Sequence, residues 1–134
     1  MISRAIAAVL VCTLSFVAAG CGGADTDAMP KAFLALLDDT TKVLKEIKDV
    51  PTAKAAEAKL KVLAERKAKL DEQAKTTMMS NAELKASDAI YAEPMKYAGV
   101  KMVEEMTRIA SVSPEAAEIT AAALGMRQNQ TPAQ

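Results

Sequence analysis

The sequence predicts an all-α protein, a small bundle of three to four helices. Helices 1 and 2 form an antiparallel hairpin, helix 3 is long and kinked at Pro94, and helix 4 is short. Three observations carry that expectation. Ala, Leu, Met, Lys and Glu dominate the 134 residues while aromatics make up only 3%, a balance that favours helix over sheet. Apolar residues recur at spacings of three and four, the period of an amphipathic helix. The periodic runs are separated by short stretches carrying proline or capping residues.

Helix 1 is expected to begin near Asp27, with Pro30 in the first turn, where its missing N–H costs nothing. Phe33, Leu36, Leu37, Val43, Leu44 and Ile47 form its stripe, with Thr40 as a polar intruder. Asp49-Val50-Pro51-Thr52 is the first break. Pro51 cannot continue a helix interior, and Thr52 is expected to cap helix 2 from about Ala53 to Lys75. So tight a connection makes the two helices antiparallel neighbours. Ala56, Leu60, Leu63, Ala64, Leu70 and Ala74 form the second stripe. Lys67 falls within it and is expected to lay its stem on the core and its ammonium in water.

Thr76 to Asn81 is the second break, and Ser80 with Glu83 reads as a capping box opening helix 3. That helix is expected to reach about Ala110, with Ala86, Ala89, Ile90, Met95, Met102, Val103, Met106 and Ile109 among its apolar positions. Pro94 in its interior predicts a kink, or two helices meeting near Ala92 to Pro94. Ser113-Pro114-Glu115 is a cap, a first-turn proline and a first-turn acid. Gly125 suits the position just past the end of a short helix 4 from Pro114 to Leu124.

The amino-terminal end has a different character. Met1 to Arg4 is a short basic segment, and Ala5 to Gly20 is apolar except for Thr13 and Ser15. That run is long enough for a signal-peptide core and shorter than the ~20 apolar residues needed to cross a bilayer. Val17-Ala18-Ala19-Gly20-Cys21 resembles the lipobox of bacterial lipoproteins, with Ala18 standing where that family favours Leu or Val. The resemblance implies a diacylglyceryl group on Cys21, cleavage just before it, and acylation, as with palmitate, of the new amino terminus. A plain secretory signal or a short anchor helix is the competing reading. Each acyl methylene contributes ~0.8 kcal/mol of membrane affinity, so two or three chains hold durably.

The expected organisation is a signal peptide over 1–20, a lipidated cysteine and leash over 21–27, a helical domain over 28–125 and a disordered polar tail over 126–134. Removing the first twenty residues leaves 114, with 16 basic against 17 acidic side chains, because Arg4 is the only charge removed. No basic excess of the kind nucleic acid demands remains, so no nucleic-acid partner is expected.

The chain has no histidine, and its two cysteines are Cys12, inside the signal, and Cys21, the anchor. The commonest general bases, nucleophiles and zinc ligands are therefore missing, so no catalytic residue, cofactor or carboxylate metal site is expected and the protein reads as a non-enzyme. Asp38-Asp39 and Glu104-Glu105 are adjacent on helices, about 100° apart, and read as solvent-face charges. Met95, Met102 and Met106 share one side of helix 3, and Tyr91 and Tyr97 flank Pro94. These five residues are the candidate interaction or soft-metal surface, because thioethers bind Cu(I) and also pack adaptably.

The leading expectation is a membrane-anchored envelope lipoprotein with a non-catalytic interaction or structural role, presenting a helical surface to a protein partner or to itself. The alternative is a small-ligand or Cu(I) carrier using the Met/Tyr side of helix 3. Gly22, in place of an aspartate after the cysteine, favours the outer over the inner membrane where the familiar sorting rule applies.

Overall fold

In the computed structural model of the chain, residues 27–126 are described. The expected signal peptide, Cys21, most of the expected leash and the expected tail from residue 127 onward lie outside them. Four helices, α1 (Ala28–Glu46), α2 (Val50–Thr76), α3 (Asn81–Val112) and α4 (Pro114–Ala123), account for nearly all of the described chain, which is an all-α bundle. None of these helices is long and apolar enough to cross a membrane.

The helix directions follow from specific contacts. Lys59 pairs with Glu46 at 3.2 Å and Arg66 with Asp39 at 2.9 Å, which sets α1 and α2 antiparallel. Met102 lies with Phe33 and Thr40, while Arg108 reaches Leu44 and Ile47, so α3 runs parallel to α1. Round the bundle the order is α1, α2, α4, α3, and neither α1 with α4 nor α2 with α3 approaches within 8 Å. The connection from α2 to α3, Thr77 to Ser80, therefore crosses a diagonal, leaving Met78 99% exposed.

The start of α2 corrects one expectation. The cap is Asp49 and not Thr52, and the helix begins at Val50 with Pro51 in its first turn. Asp49 accepts from the Thr52 N–H at 2.9 Å while the Thr52 hydroxyl accepts from the Asp49 N–H at 3.0 Å. The reciprocal pair satisfies two orphan donors, which Thr52 alone as the cap would not do. In α3 the Ser80–Glu83 box forms as expected, and the helix passes Pro94 as one element instead of two. Ser113 caps α4 through the Ala116 N–H, and Gly125 takes a φ of +73°, the left-handed turn that only glycine adopts without strain.

The core cluster is Leu44, Ile47, Ala53, Ala56, Leu60, Ile109, Ala116 and Ala123, four of the eight being alanine. It sits where the end of α1, the start of α2, the end of α3 and α4 meet. Of the expected α2 stripe, Leu60 and Leu70 are buried, Leu63 and Ala64 half-buried, and Ala74 exposed. Thr40 and Thr120 are buried, each donating its hydroxyl to the carbonyl four residues back at 2.7 Å. A polar residue on the stripe is thus accommodated without an unpaired group.

Candidate functional site

Helix α3 is the element on which the candidate residues lie, and its two long sides differ. One side carries Ser87, Tyr91, Met95, Ala98, Met102 and Met106, all half-buried, and then buried Ile109. Spacings of three and four keep them on one face of a helix turning ~100° per residue. Met102 and Met106 pack directly against the core cluster. Tyr97 lies outside this group. It stands on the opposite side, 66% exposed, with the Lys101 ammonium 5.5 Å from its ring centroid. The expected Met/Tyr surface is therefore divided between two faces of the helix.

The outward side mixes large apolar residues with the charges of a solvent face. Ile90 is 58% exposed, Val100 49% and Val103 59%, and with Tyr97 they make a strip along the middle of α3. Ile90 and Val103 were expected inward. They turn outward because Val103 is one residue, and so ~100°, beyond Met102, whose side wins the core. Lys101 donates to Glu104 at 2.9 Å, and this bond holds its ammonium above the ordinary value of 10.5. Glu93 and Lys96, 3.9 Å apart, stand among these residues, so the face carries both signs of charge.

A second feature lies inside the bundle. Phe33, Leu36 and Leu37 of α1, Leu63 of α2, Met102 of α3 and Leu124 past α4 surround a cavity of about 130 Å³. The exposed members of its wall, Lys67 and Met126, mark its mouth. Lys67 lays its stem there as expected and binds Asp71 with its ammonium at 2.6 Å.

The other suspected groups are engaged structurally. Asp38 pairs with Lys42, Asp39 with Arg66, Glu104 with Lys101 and Glu105 with Arg108. Ser80 and Ser113 are caps. Among the described residues no three or more Asp, Glu, His or Cys side chains come together as a metal site. Sequence reasoning missed Arg108, whose guanidinium donates to the Leu44 and Ile47 carbonyls at 3.0 Å each and to Glu105 at 2.7 Å. It closes the end of α1 from a neighbouring helix, a long-range contact that no local spacing announces. No protein-family model, curated protein or solved structure matches this chain.

Proposed function

We propose that the protein is a lipid-anchored, non-catalytic interaction protein of the bacterial envelope, held by Cys21 and presenting the outward side of α3. The observation carrying this reading is the strip of Ile90, Tyr97, Val100 and Val103, four large apolar side chains about half exposed or more on one helix. Scattered single apolar residues are ordinary on a surface, whereas four within one stretch of a helix, interleaved with Glu93, Lys96 and Glu104, support an interaction face. The lipobox-like segment ending at Cys21 supports tethering, which would confine the strip to the neighbourhood of a membrane.

The test has two parts. Cys21→Ala should release the protein from the membrane fraction or leave it unprocessed; wild-type fractionation and N-terminal mass without lipid would overturn the anchor. Photo-crosslinking residues placed at Val100 and Val103 should give discrete adducts in intact envelopes, while one at Lys69 of α2 should not. Tyr97→Ser with Ile90→Ser should reduce those adducts while the melting temperature holds. Adducts of equal yield from Lys69, or none from α3, would overturn the interaction face.

A further inference from the structure

We propose that the cavity between α1, α2 and α3 is a binding site for a small uncharged hydrocarbon group, of the size of a benzene ring. This is a different place from the outward strip and does not depend on it.

The wall of the cavity is almost wholly apolar. Its deep members, Leu36 and Thr40, are buried, and Phe33, Leu37, Leu63 and Met102 complete an apolar lining. The two polar groups on the wall are already committed. The Thr40 hydroxyl donates back to the Leu36 carbonyl at 2.7 Å, and the Lys67 ammonium is held by Asp71 at 2.6 Å. Among the described residues no buried side-chain nitrogen or oxygen lacks a partner. A water molecule in the cavity would need two to four polar partners, and deep in the wall it would find only the lone pairs of the Thr40 hydroxyl.

The volume sets the class of occupant. The cavity measures about 130 Å³, and a dry apolar cavity of about 150 Å³ is known to take benzene. A charged group deep in the cavity would lack a partner, because the one charged side chain of the wall, Lys67, keeps its ammonium at the exposed mouth beside Asp71. Met102 has a flexible, polarizable thioether at the wall, suited to the edge of an aromatic ring. The mouth lies between Lys67 and Met126, two long side chains that can swing aside without disturbing the core cluster.

The experiment uses the whole chain in lipid nanodiscs with carbon-13 in the methionine methyl groups. Benzene is the probe. Saturable shifts are expected at the Met102 and Met126 methyls and none at Met78, which is exposed on the α2–α3 connection and controls for partitioning into lipid. Ala64→Leu fills the cavity from α2 and should weaken the apparent affinity at least tenfold, with helicity by circular dichroism retained. If that variant loses its fold, Leu37→Phe fills the same space from α1. Absence of a saturable Met102 shift in wild type would overturn the site, as would an undiminished shift in a folded, filled variant.

Discussion

Leu60→Ala is the substitution that tests the packing most directly. Leu60 is 0% exposed and belongs to the cluster with Leu44, Ile47 and Ile109. Losing three carbons removes about 2 kcal/mol of transfer free energy at ~0.8 kcal/mol per methylene. The space left behind adds a further term of ~24 cal/mol per Å³, giving a usual range of ~2–5 kcal/mol. Ala53, Ala56, Ala116 and Ala123 around it have no side-chain length with which to move into the gap. The expected loss is therefore about 3–4 kcal/mol. A domain of this size has roughly 5–15 kcal/mol in total. At ~4–8 °C per kcal/mol, the melting temperature should fall by at least ~12 °C. Leu63→Ala is the matched control: Leu63 is half-buried and already borders the cavity, so it should cost less than ~1.5 kcal/mol. Urea unfolding followed by far-UV circular dichroism gives both values, with an unchanged slope. A Leu60→Ala loss below ~1 kcal/mol, or one equal to that of Leu63→Ala, would refute this account of the core.

Arg108→Met keeps the stem and removes two donors from the Leu44 and Ile47 carbonyls, and should cost about 1–2 kcal/mol by urea unfolding, with Arg108→Lys recovering only part. A neutral result would show that solvent caps α1 equally well. Asp49 is held below its ordinary value of 3.8 by the Thr52 hydroxyl and N–H, and Glu83 below 4.5 by the N–H and hydroxyl of Ser80. A depressed carboxyl contributes stability that is present above its ordinary value and is lost as pH falls through the folded one. Asp49→Asn with Glu83→Gln should therefore flatten the loss of helicity between about pH 5 and pH 2; an unchanged acid slope would assign that loss to other carboxylates.

What the sequence made legible was local. Helix number, the Ser80 and Ser113 caps, Gly125 and the hairpin of α1 and α2 all depend on residues within a turn of one another. The first cap was misplaced by three residues, because Asp49 and Thr52 are both good capping residues and only the reciprocal bonds choose between them. Arg108 and the cavity were not legible, since each is made by helices far apart in the chain. The division of α3 into two apolar sides was present in the spacing of Tyr91, Met95, Met102 and Met106. Which side would be buried depended on where α1 and α4 lie.

The lengths of those neighbours explain why the first turns of α3, as far as Ile90, stay uncovered, whereas Tyr97, Val100 and Val103 are exposed because they face away from α1. At ~1.5 Å per residue, the 32 residues of α3 span about 48 Å, whereas the 10 residues of α4 span about 15 Å. The diagonal crossing leaves no Cα of α2 within 8 Å of one in α3, so α1 is its one long packed neighbour. Arg108 against Leu44 and Ile47 places the start of α1 opposite the early nineties of α3, and the turns before that have no long helix beside them. Residues 81–90 are accordingly exposed apart from Ser87. A helix built to face water under these conditions would resemble α2, where Lys54, Lys61, Glu65 and Lys69 are exposed and Val62 is the single large apolar residue so placed. On α3 the exposed charges Glu93, Lys96 and Glu104 share that side with Ile90, Tyr97, Val100 and Val103. Ile90 lies beyond the start of α1, and Tyr97, Val100 and Val103 lie beside α1 but face away from it, so burial within the bundle does not account for these four side chains. The external contact proposed above would cover them.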